Sequence, residues 1–419
     1  MANNYIDLLK ENNQEHLLKY LEMANEEQKQ ELINEIMDLD FKHIKELYSL
    51  SSRDNEKAIE SCIIEHTKFV DKYKISEEEF NRYKNIGEEI IKNGEYAVVT
   101  MAGGQGTRLG HNGPKGTYIL NVKPEPKSLF EILVDGIKRA NSKYGITLNW
   151  YIMTSTENND KTAQYFESKN YFGYPKDKIR FFEQGNLPLI SEDGKLLVDE
   201  NLHIKYAADG NGCIYKAMRK NGILDDMKSK NIKWIFIGSV DNALLNMVDT
   251  ILLGLTVSEG NKIGSKSVVK RSPDEPVGVF CKKNSKPAVI EYTELPTEMA
   301  RETDEEGELL FGESHIMCNL YSLEALEIIS QNTLPYHSAH KKAPYLDENR
   351  NMIKVTKPNA YKYEAFIFDG FVFFDGISIL RGRREEDFAP VKNAEGQDSP
   401  QTAVELYNNY WENNENGRM

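Results

Sequence analysis

The sequence predicts an α/β protein with a mostly parallel central sheet that is covered by helices and preceded by a helical segment. Three observations support this fold class. Residues from about 3 to 92 carry apolar side chains at helical spacing. From about residue 96 onward, β-branched apolar runs alternate with helical segments, as in covered parallel sheets. The first of these runs leads directly into a glycine-rich loop, at the end of a strand where such sheets bind ligands.

Residues 1–92 are predicted to form a helical subdomain without a convincing strand. Near its end, residues 76–79 read Ser-Glu-Glu-Glu, which is the pattern of a capping box that opens a helix. The following Asn93-Gly94 is predicted to end that helix, because glycine readily adopts the left-handed conformation of a helix C-terminus.

The glycine-rich loop covers residues 101–116 and follows the apolar run at 96–100. Its glycines include Gly103, Gly104 and Gly106. Without a Cβ at these positions, backbone N–H groups can approach a phosphate closely. Arg108 and Lys115 add two positive charges that suit a polyphosphate. The loop is therefore predicted to bind phosphate rather than to serve only as a tight turn.

Two familiar phosphate-binding loops do not fit this stretch. A Walker A loop needs a lysine followed by Ser or Thr at a set spacing, and this sequence has none there. A dinucleotide fingerprint needs a third glycine where Leu109 stands, which disfavours an NAD-binding oxidoreductase. The remaining pattern, Gly-Gly-x-Gly-Thr-Arg-Leu followed by Pro114-Lys115, resembles the signature of sugar-nucleotide pyrophosphorylases.

Helical and extended segments alternate beyond the loop. Helical spacing occurs at residues 129–141 and 158–169, and the extended runs are 148–154, 178–183 and 234–238. Because parallel sheets bind ligands beyond the carboxyl ends of their strands, the loops that follow these runs are the expected site.

Composition and charge exclude several classes of protein. The chain has 52 Lys and Arg against 66 Asp and Glu, a net charge of −14, which disfavours binding to nucleic acid or to an anionic membrane. The sequence contains neither a recognisable signal peptide nor an apolar run of membrane-spanning length. Its four cysteines are widely spaced without a C-x-x-C pair and are predicted to be reduced thiols. We expect a cytoplasmic protein.

A closer resemblance emerges from motifs that run in order from about 97 to 411. They are WYIMTS (150–155), YFG (171–173), FFEQG (181–185), LP (187–188), ADGNG (208–212), VDN (240–242), EPVGV (275–279), VIEY (289–292), KKAPY (341–345) and FAPVKN (388–393). These motifs resemble the eukaryotic-type UDP-N-acetylhexosamine pyrophosphorylases of the UDPGP superfamily. The resemblance implies a GT-A-like, Rossmann-type nucleotidyltransferase domain, here at 93–395, and leaves 396–419 as a short helical tail. Family members continue into a small C-terminal domain that is expected to be missing here.

The resemblance implies a uridylyltransferase that makes a UDP-sugar and pyrophosphate from UTP and a hexose 1-phosphate. N-acetylglucosamine 1-phosphate is the favoured sugar, and attack on the α-phosphorus is expected to be in line. Two alternatives stay open: a UDP-glucose or UDP-galactose pyrophosphorylase with the same mechanism, and a non-catalytic relative that binds UDP-sugars. UTP and the sugar 1-phosphate are the expected partners, and the protein is expected to be a monomer or a weak oligomer.

The same resemblance assigns roles to single residues. Gly103, Gly104 and Gly106 would contact the nucleotide through their backbone. The cations expected to hold phosphates are Arg108, Lys115, Lys362 and Lys392. The substrate contacts are expected from Gln184 to the uracil edge, Gly210 to the base and ribose, Asn211 to the sugar or its phosphate, and Glu291 to the sugar hydroxyls.

Asp241 stands just past the carboxyl end of the buried run at 234–238. A carboxylate near several phosphates suits Mg²⁺, which takes carboxylate and phosphate oxygens. We therefore expect Mg²⁺ as cofactor with Asp241 as its ligand, and Asp369 is a weaker candidate for a second ligand. His337 and His340 are predicted to share a helical face and, with no third ligand evident, to be structural.

One departure from the family bears on the sugar. Ser314-His315 stands where the N-acetylhexosamine enzymes have Gly-Asn, whose Asn faces the 2-substituent of the sugar. Imidazole is larger and directs its donor and acceptor elsewhere. Either His315 partly fills the N-acetyl pocket, so that glucose and galactose 1-phosphate compete better, or its ring is turned away and the pocket is unchanged.

Overall fold

The computed structural model describes residues 4–51 and 62–415. They form two compact units. The smaller unit comprises the described parts of Met1–Lys57 together with Gly185–Cys213 and Leu334–Ile367. The larger unit comprises the described parts of Ala58–Gln184 and Phe368–Met419 together with Ile214–Thr333.

The helices of the described residues are numbered in chain order. The first seven are α1 (Asn4–Glu11), α2 (Leu17–Met23), α3 (Glu26–Asp38), α4 (Phe41–Leu50), α5 (Glu77–Lys92), α6 (Leu129–Tyr144) and α7 (Asn159–Ser168). The others are α8 (Ile214–Lys220), α9 (Ile223–Ser229), α10 (Thr250–Ser258), α11 (Thr297–Ala300), α12 (Leu323–Gln331), α13 (Arg384–Asp387) and α14 (Pro400–Glu415). Not one of these helices combines the length and the hydropathy that crossing a membrane requires.

The strands are numbered in the same way. The first ten are β1 (Ile64–His66), β2 (Val70–Asp71), β3 (Tyr96–Met101), β4 (Ile119–Leu120), β5 (Lys127–Ser128), β6 (Asn149–Thr154), β7 (Ile179–Glu183), β8 (Asn186–Pro188), β9 (Ile190–Ser191) and β10 (Tyr206–Ala208). The others are β11 (Trp234–Ser239), β12 (Ile263–Val269), β13 (Val279–Lys283), β14 (Lys286–Ile290), β15 (Glu313–Ser322), β16 (His337–Lys341), β17 (Tyr345–Leu346), β18 (Met352–Ile353), β19 (Ala360–Glu364) and β20 (Ser378–Arg381).

The larger unit is built on a sheet with the strand order β2-β20-β12-β15-β11-β3-β6-β7. Neighbouring strands along it are parallel except at β15, which is antiparallel to both β12 and β11. The antiparallel strands β1, β13 and β14 extend it beside β15. The predicted α/β fold with a mostly parallel central sheet is thus confirmed.

Helices cover this sheet, so the residues of its central strands are largely buried. All six residues of β3 are buried, which explains the continuous apolar run in the sequence. Helix α5 can lie close to α10 because Gly87 and Gly254 have no side chain. A Cβ on Gly87 would come within 2.2 Å of Thr250 O, and one on Gly254 would come within 1.9 Å of Tyr83 O. The predicted capping box is present, with Ser76 and Glu79 as its partners.

The smaller unit combines α1–α4 with short strands. Its three-stranded sheet has the order β16-β19-β9, and its core includes Leu9, Leu32, Ile36, Leu196 and Tyr363. The predicted N-terminal helices are therefore present, and they bury their apolar faces against segments that are distant in the sequence. The predicted domain boundaries at residues 92 and 395 stay predictions.

Two local expectations were wrong. The first 92 residues do contain strands, because β1 pairs with β13 and β2 pairs with β20. His337 and His340 lie on β16 rather than on a helix, and β16 pairs with β19. In each case a partner far away in the chain supplies the hydrogen bonds, which no local spacing reveals.

Candidate active site

The glycine-rich loop and the segment at residue 241 adjoin because they follow neighbouring parallel strands. In the register of the sheet, Ser239 at the end of β11 lies opposite Met101 at the end of β3. Just beyond, the Val240 amide donates to the Met101 carbonyl at 3.1 Å. Asp241 is therefore carried to the start of the loop, as the sequence analysis expected of the carboxyl ends of strands.

Lys115 and Asp241 form an ion pair at this edge of the sheet. Lys115 Nζ donates to Asp241 Oδ2 at 3.0 Å, and the two side chains are 17% and 19% exposed. Partial shielding from water makes the attraction within such a pair stronger than that within a pair on an open surface. A cation and an acid predicted separately from the sequence are thus brought together.

Lys392 also acts on Asp241. The Val391 amide donates to the Asp241 carbonyl at 2.8 Å, which holds the segment carrying Lys392 beside this residue. Burial raises the pKa of Asp241, but the Lys115 and Lys392 ammonium groups outweigh it, so that the pKa lies below its usual value. Asp241 is therefore ionised at neutral pH.

The glycine-rich loop is held in shape by hydrogen bonds within the loop and by a hydrogen bond from outside it. The Lys115 amide donates to the Gly104 carbonyl at 3.0 Å, and the Gly106 amide donates to the Gly113 carbonyl at 2.9 Å. From outside the loop, Asn158 Nδ2 donates to the Gly104 carbonyl at 3.3 Å. Its shape is therefore set before any ligand binds, which reduces the entropy lost on binding.

Two of the predicted glycines lie against close side-chain neighbours. A Cβ on Gly103 would come within 2.9 Å of the side-chain amide of Gln184, and one on Gly106 would come within 2.7 Å of His111 Cβ. Gln184 directly follows β7, and its backbone amide donates to the Thr154 carbonyl at 2.9 Å. The predicted uracil reader therefore lies against the predicted nucleotide loop. Arg108, on the same loop, is exposed.

Glu291 and His315 approach each other through Gly278. The His315 amide donates to the Gly278 carbonyl at 2.9 Å. A Cβ on Gly278 would come within 3.2 Å of Glu291 Oε1. Two of the residues expected to contact the sugar thus both adjoin Gly278 in the larger unit.

The His315 imidazole is turned into the protein. Its Nε2 donates to Asn319 Oδ1 at 3.0 Å. Its ring meets three phenylalanine rings edge to face, with centroid distances of 5.3 Å to Phe280, 5.6 Å to Phe368 and 6.0 Å to Phe371. Burial lowers the pKa of His315 to about 4, although the bond to Asn319 raises it. The ring is therefore neutral at neutral pH.

Three other predicted residues lie in the smaller unit. Gly210 has φ +97°, and a Cβ there would come within 2.3 Å of the Ala365 carbonyl oxygen, so only glycine fits. Asn211 Oδ1 accepts from the Ile367 amide at 2.8 Å. Lys362 on β19 pairs with Glu364, with Nζ and Oε1 2.7 Å apart. The Asn211 side chain thus holds the backbone at Ile367, two residues beyond the Ala365 that packs against Gly210.

Asp369, the weaker candidate for a second metal ligand, lies near Tyr215. Burial raises the pKa of Tyr215 above its usual value, and the Asp369 carboxylate contributes to this shift. Among the described residues, no cluster of three or more His, Cys, Asp or Glu side chains is arranged to hold a metal ion.

No role was predicted from the sequence for the residues that hold the loops of the candidate site in place through hydrogen bonds and ion pairs. Asn158 clamps the loop, and Asn242, next to Asp241, accepts from the Ala389 amide at 2.8 Å. A signal existed for both, because each asparagine lies in the loop that follows a strand ending at this edge of the sheet. No pattern pointed to Lys266, which lies in the middle of β12 with its side chain only 2% exposed.

Comparison with known proteins places this geometry in a family. Residues 40–414 match the family model described as UTP–glucose-1-phosphate uridylyltransferase. The chain belongs to this family. The match covers most of the chain, including the loop, Asp241 and Lys392, and it confirms the UDPGP superfamily predicted from the sequence.

Individual relatives are similar over most of their length. A probable UDP-N-acetylglucosamine pyrophosphorylase of Dictyostelium discoideum is 35% identical, covering 94% of this chain and 85% of that protein. The UDP-N-acetylglucosamine pyrophosphorylase of Saccharomyces cerevisiae is 36% identical over 86% of this chain and 78% of its own length. The crystal structure of the Trypanosoma brucei UDP-N-acetylglucosamine pyrophosphorylase, in complex with an inhibitor, superposes with a TM-score of 0.81, at 30% identity over 96% of this chain and 83% of that one.

Proposed function

We propose that the protein is a UTP-dependent uridylyltransferase that makes UDP-N-acetylglucosamine and pyrophosphate from UTP and N-acetylglucosamine 1-phosphate. The single observation that carries the proposal is the cluster of Lys115, Asp241 and Lys392 beside a preformed glycine loop. Family membership and the names of the Dictyostelium and yeast relatives support the choice of substrates. A protein that only binds UDP-sugars has no need for two cations and an acid at the phosphates.

The proposed reaction needs positioning and charge neutralisation rather than a covalent nucleophile. An oxygen of the sugar phosphate attacks the α-phosphorus in line, and pyrophosphate leaves. Lys115 and Arg108 hold the β- and γ-phosphates and neutralise the charge that develops on the leaving group. Lys392 lies near the same phosphates. Lys362, Gly210 and Asn211 keep the roles that the family resemblance implies as predictions.

Mg²⁺ fits the donors present. It is usually held by one or two carboxylates together with substrate phosphates, rather than by an all-protein cage. Asp241 supplies one ionised carboxylate, and the described residues contain no cluster of three ligands, which suits an ion shared with the substrate. When bound, the ion would neutralise phosphate charge and orient the α-phosphate. We propose Asp241 as its protein ligand.

We also propose a cytoplasmic enzyme that is a monomer or a weak oligomer. The location is supported by the lack of disulfides among the cysteines of the described residues. The test of the whole proposal is to incubate the full chain with UTP, Mg²⁺ and a panel of sugar 1-phosphates and to measure released pyrophosphate. Release with N-acetylglucosamine 1-phosphate supports the proposal, and no release with any sugar phosphate contradicts it.

UTP is expected to react faster than CTP or ATP. Gln184 lies against Gly103, and its amide offers a donor and an acceptor to the imide edge of uracil. Cytosine reverses that pattern, and each mispaired buried group costs about 1–3 kcal/mol. Measured kcat/KM for the three nucleotides should therefore favour UTP, and Gln184→Ala should narrow the gap between UTP and CTP.

The control for this experiment is Gln401→Ala on the exposed face of α14, which should leave the ratio unchanged. Equal kcat/KM for UTP and CTP in the wild-type protein would show that Gln184 does not select uracil over cytosine.

His315 is expected to shift the choice of sugar without switching it. Its neutral ring is held by Asn319, while its backbone amide donates to the carbonyl of Gly278, the residue that adjoins Glu291. His315→Asn should raise the preference for N-acetylglucosamine 1-phosphate over glucose 1-phosphate by about 5–30-fold, the size of one contact of about 1–2 kcal/mol. The measurement is kcat/KM for N-acetylglucosamine, glucose and galactose 1-phosphates in both proteins.

His43→Asn on α4 controls for the loss of an imidazole elsewhere. An unchanged sugar ratio in His315→Asn would mean that the ring, turned toward Asn319, does not contribute to specificity.

A further inference from the structure

The loops that carry Asp241 and Lys392 are joined by backbone bonds. The loop after β11 and the loop after α13 form an isolated β-bridge between Asn242 and Pro390. Next to it, the Val391 amide donates to the Asp241 carbonyl at 2.8 Å. The backbone position of Asp241 therefore depends on where the loop after α13 lies.

The Asn242 side chain ties the two loops together a second time. Its Nδ2 donates to the Asp387 carbonyl at 2.8 Å, and its Oδ1 accepts from the Ala389 amide at 2.8 Å. Asn242 is only 2% exposed, so water does not compete for these bonds. The anchor point of this clamp on the second loop is the backbone of Asp387.

Asp387 is in turn fixed by a buried charge. Its carboxylate accepts from Lys266 Nζ, and the same nitrogen lies 2.8 Å from Asp249 Oδ2. The side chains of Lys266, Asp249 and Asp387 are 2%, 6% and 5% exposed. Such groups remain charged in the interior only when paired, so the ammonium group holds both carboxylates firmly in place.

Asp249 differs from Asp387 in what it supports. Its Oδ1 accepts from the Ile251 and Leu252 amides at 3.0 Å each and so caps α10. Asp387 instead supports the clamp at Asn242. Lys266 therefore binds two carboxylates, and of these only the Asp387 carboxylate belongs to a residue that is bonded, through Asn242, to the candidate active site.

We infer that Lys266 and Asp387 are positioning residues, which act through Asn242 to hold Asp241 and Lys392 at the geometry required for attack of the sugar phosphate on the α-phosphorus. This inference rests on the proposed function. Neither residue reaches the substrate in this scheme, and the effect is transmitted through the backbone of residues 387–391. A displacement of about 1 Å in a positioned group is enough to lower turnover about 10²-fold.

The two aspartates offer a matched pair of variants. Asp387→Asn and Asp249→Asn each keep the side-chain shape, remove one negative charge and leave Lys266 with one carboxylate partner. The triad of one lysine and two aspartates carries a net negative charge, and either change makes it neutral, so both variants are expected to fold. Asparagine remains a good N-cap at position 249. Lys266→Met is less suitable, because it would leave two buried carboxylates without a cation.

Amide hydrogen exchange of the full chain, measured without substrate, tests directly whether the Asp387 carboxylate holds the loop after α13 in place. In Asp387→Asn the amides of Ala389 and Val391 are expected to exchange about tenfold faster than in the wild type, because local opening becomes easier. In Asp249→Asn they should stay near the wild-type rate. Wild-type rates in both variants, or the same acceleration in both, would overturn the inference.

Kinetics then test the consequence for catalysis. Asp387→Asn should lower kcat about 10–100-fold with the KM for UTP nearly unchanged, since the nucleotide loop is untouched. Asp249→Asn should keep both parameters, even where thermal unfolding shows an equal change in stability. Equal kcat values in the two variants overturn the inference. Failure of the wild type to release pyrophosphate contradicts the proposed function instead, and the exchange rates then still decide whether the link exists.

Discussion

Lys115→Ala is expected to lower kcat about 10²–10³-fold while the fold stays intact. Its ammonium group is held 3.0 Å from Asp241 and is preorganised next to the glycine loop, and removing one such electrostatic contact has an effect of this size. Initial rates of pyrophosphate release measure the effect, and circular dichroism and the unfolding midpoint report on the fold.

The same variant should also change the pH dependence. In the wild type, burial raises the pKa of Asp241, and Lys115 and Lys392 together lower it below its usual value. Without Lys115 the opposing charge is reduced, so the pKa rises and the carboxylate protonates at a higher pH. The acidic fall of kcat should therefore begin at a higher pH in Lys115→Ala than in the wild type.

Lys127→Ala is the matched control, because Lys127 forms a comparable half-buried pair with Asp135, at 2.7 Å, outside the loop. It should leave kcat and the pH profile unchanged. Near-normal turnover in Lys115→Ala would exclude Lys115 from the phosphate site.

Asp241→Asn is expected to cause the second large loss of activity. Asparagine keeps the shape but loses the charge that offsets Mg²⁺, so the Mg²⁺ concentration for half-maximal rate should rise and kcat should fall about 10²-fold. The measurement is a Mg²⁺ titration of initial rates at saturating UTP and sugar phosphate. Activity of the wild type should disappear in EDTA and return with added Mg²⁺.

Asp135→Asn serves as its control, since it removes an aspartate from the Lys127 pair without approaching the loop. Full activity of the wild type in EDTA would contradict the proposed metal dependence. An Asp241→Asn protein with a normal Mg²⁺ titration would show that another group holds the ion.

Much of the candidate site was predictable because its parts follow strands. The run at 96–101, the glycines after it, and Asp241 after β11 all have strong local patterns. Parallel neighbours bring the carboxyl ends of their strands to one edge, so the pairing of Lys115 with Asp241 follows from fold class and loop position.

Other features had no local signal. The strands β1 and β2 are two or three residues long and exist because β13 and β20 supply partners. His337 and His340 are spaced as on a helix, yet they lie on β16 because β19 pairs with it. Short segments take the conformation that their distant partners stabilise, since their own propensities amount to little.

By itself, the sequence determined the α/β class, the glycine-rich loop after β3, the acid beyond β11 and the family, because each depends on residues that are adjacent or regularly spaced. Only the tertiary structure decided that the His315 ring turns toward Asn319, and that Lys266 supports the loop of Asp241 through Asp387. Both outcomes depend on burial. A side chain removed from water must find its hydrogen-bond and charge partners wherever the fold brings them, irrespective of their distance along the chain.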